Sequence, residues 1–120
     1  MNCGMQENCS MSYRVKTIPH FDREVKRIAK KHKGIKSDLA KLIEDLEKNP
    51  TIGTDLGQNI YKIRLAISGT NKGKSGGARV ITCIFVVTET VYLTEIYLKN
   101  EHDTVDTALI VQRMKDNGLL

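Results

Sequence analysis

The feature that most constrains this chain is a change of hydrophobic period part-way along it. Between Pro19 and Pro50 apolar residues recur every three or four positions, as one face of a helix requires; from Asn59 to Ile67 they recur at every second position, as one face of a strand requires, and beyond a glycine-rich loop Ala78 to Val87 is a more continuously apolar strand with Val91 to Leu98 as its neighbour. A helical period that precedes a block of strand period excludes an all-helical bundle and the repeating strand–helix order of a parallel α/β sheet. It points instead to an α+β domain.

The elements can be placed residue by residue. From Ser12 to Ile18, Tyr13, Val15 and Thr17 alternate with Arg14, Lys16 and Ile18, which predicts a first strand ended by Pro19. Phe21, Val25, Ile28, Ala29 and His32 form a helical stripe, with Asp22 and Glu24 in the dipole-favoured first turn and Gly34 as the stop. Ser37 is the expected cap of a second helix carrying Leu39, Leu42, Ile43 and Leu46, which ends at Asn49 and Pro50 and makes an antiparallel hairpin with the first. Strands are expected from Asn59 to Ile67, from Ala78 to Val87 and from Val91 to Leu98. Thr88 to Thr90 turns the chain between the last two. Thr104 to Asn117 reads as a helix with Val105, Ala108, Leu109 and Met114 on one face and Gly118 as a left-handed cap. The expected architecture is β-α-α-β-β-β-α, a small, mostly antiparallel four-stranded sheet with helices on one face. Residues 1–11 show no hydrophobic period and are expected to be a mobile tail before a single domain over 12–120.

Length and charge narrow the function. A chain of 120 residues supports one core. Its 19 Lys and Arg against 14 Asp and Glu give a net charge of +5, which favours phosphate-bearing or acidic partners. The longest apolar run, Val80 to Val87, is far short of a helical membrane span. Three cysteines that cannot all pair, with no secretory signal, fit a cytoplasmic protein. His20, His32, His102 and the cysteines lack metal-ligand spacing, so no metal or cofactor is expected, and nothing suggests a small-molecule substrate. Gly73-Lys74-Ser75 is not a phosphate-binding loop, because the first glycine of that motif falls on Ser68 and a strand follows where a helix is needed. Cys83, inside a strand, reads as a small buried hydrophobe.

The strongest chemical signal is cationic. Lys62 and Arg64 lie two apart on the polar face of one strand, about 7 Å by strand rise, and Arg79 opens the strand expected to pair with it. With Lys72 and Lys74 on the connecting loop, the segment from Lys62 to Arg79 holds five basic residues and no acidic one. A nucleic-acid backbone would neutralise such a cluster, whereas in water it repels itself. Charge alone leaves open a solvated sheet face with a flexible loop. If instead Lys62, Arg64 and Arg79 bind RNA together, replacing Arg79 by Ala is expected to abolish activity and leave thermal stability nearly unchanged. Arg23, Lys26, Arg27, Lys30, Lys31, Lys33 and Lys36 form a second basic group, read mainly as the solvated outer face of the first helix.

The order of elements, together with Tyr61-Lys62-Ile63-Arg64-Leu65, Gly77-Ala78-Arg79-Val80-Ile81 and Tyr97-Leu98-Lys99-Asn100-Glu101, resembles the RelE/ParE superfamily of bacterial toxins over residues 12–120. The stretch Gly73-Lys74-Ser75-Gly76-Gly77-Ala78-Arg79 is similar to the HigB-like RelE branch. The resemblance implies a toxin of a type II toxin–antitoxin system that cuts messenger RNA on the ribosome without a metal. Its implied partners are the ribosome, messenger RNA and a cognate helix-turn-helix antitoxin. Lys62 and Arg64 match the basic pair of the catalytic strand, and Arg79 the arginine that holds the scissile phosphate. Where many members carry a second arginine and a tyrosine, this chain has Lys99, Asn100, Glu101 and His102, with Asp106 at the place of the tyrosine.

Metal-free RNA cleavage needs a base for the attacking 2′-OH, charge to stabilise the phosphoryl group, and an acid for the leaving 5′-oxygen. Arg64 and Arg79 can only clamp charge, since arginine does not release its proton. Lys62 is the candidate base, and His102 or Glu101 the candidate for the remaining transfer. Lys72, Lys74 and Lys99 are candidate RNA contacts, and Tyr97 and Tyr92 candidate stacking platforms. A non-catalytic ParE-like gyrase inhibitor and a plain nucleic-acid-binding domain remain alternatives at this point.

Overall fold

The computed structural model describes residues 13–67, 77–101 and 105–119. In chain order these form β1 (Arg14–Thr17), α1 (Pro19–Ala29), α2 (Ile35–Lys48), β2 (Thr54–Asp55), β3 (Ile60–Leu65), β4 (Ala78–Phe85), β5 (Thr90–Leu98) and α3 (Thr107–Asp116). The sheet order is β1-β5-β4-β3-β2, with β1 parallel to β5 and every other pair antiparallel. The α+β expectation holds, with two corrections to its architecture.

The sheet has five strands rather than four. The addition, β2, pairs Thr54 with Lys62 and Asp55 with Tyr61; two residues are too few to show any period. Helices also lie on both faces rather than one. Every residue of β4 from Ala78 to Ile84 is buried, which a single covering layer cannot achieve. Leu42 of α2 lines a cleft with Ile63 and Leu65 on one face, while Val111 of α3 shares a groove with Cys83 and Phe85 on the other.

Local chemistry sets the element ends. Pro19 occupies the first turn of α1, where its missing N–H costs nothing. The α1 helix stops at Ala29, short of Gly34, and residues 30–34 run as turns in which the Lys31 and His32 amides donate to Ile28 O. Gly34, not Ser37, precedes α2, because Ile35 is fully buried and its burial starts the helix three residues earlier than the cap predicts. In α3 the buried stripe is Ile110 and Met114, supported by Val105 and Val111; Ala108 and Leu109 are exposed, so the face is rotated from the expected one. Asp106 caps this helix by accepting from the Ala108 amide at 2.9 Å. Gly118 is left-handed, φ +74°, as expected. The β4 strand ends at Phe85, and Val86 and Val87, expected in the strand, sit exposed in the turn.

Candidate functional site

Residues paired across neighbouring strands share a face, so the ladder decides which side chains can act together. Arg64 of β3 pairs with Arg79 of β4, and Arg79 pairs with Tyr97 of β5. Lys62, two residues from Arg64, pairs with Ile81, which pairs with Glu95. One step past β5, the Lys99 amide donates to Gly77 O at 3.0 Å and brings Lys99 beside the start of β4. Lys62, Arg64, Arg79, Tyr97 and Lys99 therefore gather at one end of the sheet.

Glycine makes the close approach there possible. A Cβ on Gly77 would stand 2.3 Å from Leu65 O, and one on Gly53, at φ +105°, would stand 2.5 Å from Lys62 O. Any side chain at either place would push against the backbone of the strand that carries Lys62 and Arg64.

The five residues differ in exposure. Arg64 and Lys99 are exposed and Lys62 is half-buried. Arg64 also borders a cleft of about 350 Å³ with Asp38, Lys41 and Asp45 of α2. Among the described residues none of Lys62, Arg64 and Lys99 forms an ion pair with a carboxylate. Arg79, by contrast, is only 2% exposed, and its Nη1 donates to Ala78 O at 3.2 Å. This corrects the picture of a freely solvated arginine: the whole side chain, guanidinium included, is buried and is bonded to the backbone beside it. Tyr97 is equally buried, so its ring packs inside this end of the sheet and has no open face for a base. Tyr92 pairs with Cys83 towards the opposite end and packs edge-on against Phe85, ring centroids 5.3 Å apart.

Glu101 is engaged elsewhere. Its carboxylate receives a two-pronged bond from Arg27 of α1, Nη1 to Oε2 at 2.7 Å and Nη2 to Oε1 at 3.0 Å, and its Oε1 also accepts the Leu98 amide at 3.2 Å. Glu101 and then Glu24 hold the Arg27 guanidinium more firmly protonated than an ordinary arginine. Lys72, Lys74 and His102 lie outside the described residues. Cys83 is buried as expected, and burial pushes its thiol up, away from a reactive thiolate. Among the described residues no group of three His, Cys, Asp or Glu side chains could hold a metal ion, and no helix is long and apolar enough to cross a membrane.

Sequence patterning missed a second polar cluster. Glu95 accepts from His20 Nε2 at 2.6 Å and from Arg113 Nη1 at 2.7 Å, joining β5 to the start of α1 and the last turn of α3. β1 ends with Thr17 opposite Leu93, so beyond it the start of α1 fills the place beside β5 and His20 reaches Glu95. The only sequence signal for this was a charged residue inside a strongly apolar strand.

A cationic strand, an arginine fixed on its neighbour and a basic residue at the end of the third strand form an arrangement suited to a phosphodiester. No curated protein matches the chain. Residues 20–115 match the family model for the RelE toxin of the RelE / RelB toxin-antitoxin system. That match covers four-fifths of the sequence and every described residue of the cationic end, and the chain belongs to the RelE toxin family.

Proposed function

We propose that this toxin is a ribosome-dependent endoribonuclease of the HigB-like branch, which stops translation by cutting messenger RNA without a metal. The observation that carries the reading is the register that sets Lys62, Arg64 and Arg79 on one face while Ile63 and Leu65 enter the core. A protein that acted only by binding gyrase has no need of a phosphate clamp.

The residues divide the work by their chemistry. A 2′-OH attacks the adjacent phosphorus and passes its proton to Lys62, which must enter the step as the free amine. Arg79 and Arg64 hold the phosphoryl oxygens as charge builds on them. Arg64 is the exposed clamp, and Arg79, buried beside it, meets the phosphoryl group once bound RNA uncovers its guanidinium. The P–O5′ bond then breaks, and the leaving oxygen takes a proton from an acid on the segment after β5, where Lys99 and His102 are the candidates. Glu101, held by Arg27, is set aside for that step. The products are a 2′,3′-cyclic phosphate and a 5′-hydroxyl, with protons balanced.

A helix-turn-helix antitoxin is the proposed partner, acting by covering basic surface, so its affinity falls as salt rises. The deciding experiment is primer extension on messenger RNA after induced expression, repeated with purified RNA with and without ribosomes. Cuts within the translated frame that require ribosomes support the reading. Cleavage of naked RNA refutes the ribosome dependence, and arrest of replication with intact messages points to the gyrase alternative.

A further inference from the structure

We propose that Arg27 is a positioning residue for this toxin: its forked pairing with Glu101 bolts the turn that presents Lys99 to helix α1. The inference rests on the endonuclease reading above and adds a residue to its site.

Among the described residues, several bonds hold the turn. The Glu101 amide donates to Leu98 O at 2.9 Å and closes the turn on itself. The Lys99 amide donates to Gly77 O at 3.0 Å and ties the turn to the start of β4, two residues from Arg79. The Glu101 Oε1 also accepts the Leu98 amide at 3.2 Å inside the turn, and the Arg27 fork joins two side chains and fixes the turn against helix α1, a different layer of the fold. Arg27 also bonds Glu24 of its own helix, Nε to Oε1 at 3.0 Å, a contact separate from the Glu101 fork.

Exposure says what this pairing is for. With Arg27 and Glu101 side chains 46% and 34% exposed, such a bridge adds little to stability. A planar fork on a carboxylate does fix direction, which a lysine ammonium cannot do. Rate depends far more steeply than stability on where a charged group stands relative to a phosphate. The pairing is therefore weak as a strut for the fold and strong as a guide for Lys99.

The test compares the parent with Arg27→Ala, Arg27→Lys, Glu24→Gln, Lys99→Ala and the double variant Arg27→Ala/Lys99→Ala. It measures single-turnover cleavage on purified ribosome complexes, ribosome affinity, melting temperature and hydrogen exchange at the Lys99 amide. Both Arg27 variants should cleave at least about 10-fold more slowly, with ribosome affinity within about 2-fold and melting temperature within about 5 °C of the parent. Glu24→Gln should match the parent, because the Glu101 fork survives. Arg27→Ala should add nothing once Lys99 is already Ala, and should speed exchange at the Lys99 amide at least about 10-fold. Cleavage by Arg27→Ala within about 2-fold of the parent, additivity with Lys99→Ala, or an unchanged Lys99 amide would each overturn the proposal. Should the parent itself fail to cut ribosome-bound message, the functional reading falls. The amide exchange would then still decide whether Arg27 holds the turn.

Discussion

Replacing Glu95 by Ala should loosen the join between the sheet and two helices at once, and its cost can be worked from the geometry. The Glu95 side chain is 13% exposed and accepts two short bonds, from His20 Nε2 at 2.6 Å and Arg113 Nη1 at 2.7 Å. A hydrogen bond to a charged group contributes about 1.5–3 kcal/mol. Here His20 and Arg113 are partly exposed and recover some hydration when the carboxylate is gone. About 1–1.5 kcal/mol for each bond, or about 2–3 kcal/mol in all, is a reasoned expectation. For a domain of this size that is a fall in melting temperature of about 8–12 °C. Thermal melts followed by circular dichroism at pH 7, with urea titrations for ΔG, measure it directly. Glu95→Gln retains one acceptor oxygen and should lose about half as much, and a cycle with Arg113→Ala should return a coupling of about 1 kcal/mol. A loss below about 0.5 kcal/mol for Glu95→Ala would show that water replaces both partners and that α3 is held by Ile110 and Met114 alone.

Three further outcomes follow from the same structure. Gly77→Ala places a Cβ where Leu65 O already stands, so it should cost more than about 2 kcal/mol in urea unfolding and depress cleavage by shifting the start of β4. Arg79→Met keeps the buried stem and removes the guanidinium. Cleavage should fall at least about 100-fold, and stability should drop by about 1–3 kcal/mol, whereas the exposed Arg64→Met should leave unfolding within about 0.5 kcal/mol of the parent; equal stability losses for both would contradict the burial difference. Because burial raises the Cys83 thiol, the folded protein holds it neutral while the unfolded chain ionises near about pH 8.5, so this contribution to stability is intact below that pH and is lost as pH rises above it. Urea unfolding at pH 7.5 and 9.5 in parent and Cys83→Val should show an alkaline loss that is larger in the parent.

The parts of the fold legible in the sequence are those where one period runs long enough to be counted. The Leu39, Leu42 and Leu46 stripe of α2 and the Ile63 and Leu65 alternation of β3 both enter the core as read. That alternation also placed Lys62 and Arg64 together, and the ladder added Arg79 to their face. What was illegible has physical reasons. β2 is too short to carry a pattern. The α3 face was misread because Leu109 satisfies the same spacing as Ile110, and only packing against the sheet chooses between them. Arg79 looked solvated because a strand pattern reports the side a residue faces, not what lies over that side. The pairings of Glu95 and Arg27 are not legible in the sequence, since each is defined by a partner 18 to 75 residues away in the chain.

Those distant pairs explain how one end of the sheet keeps its positive charge. A ten-residue helix is about 15 Å long and an eight-residue strand about 26 Å, so α3 covers only part of the face that β4 offers. Its Val111 shares a groove with Cys83 and Phe85, and its Arg113 pairs with Glu95. Glu95 stands in the same row as Lys62, two strands away at about 10 Å, and Glu101 ends the turn that carries Lys99. Either carboxylate, left free, would draw one of the cations and neutralise the site before a substrate arrived. Both are instead committed to arginines of the helices, Glu95 to Arg113 and Glu101 to Arg27. The helices thereby fix the sheet and the final turn while withdrawing the nearby negative charge, so that Arg64 and Lys99 keep their charge available for a phosphate and no carboxylate holds Lys62 as an ammonium.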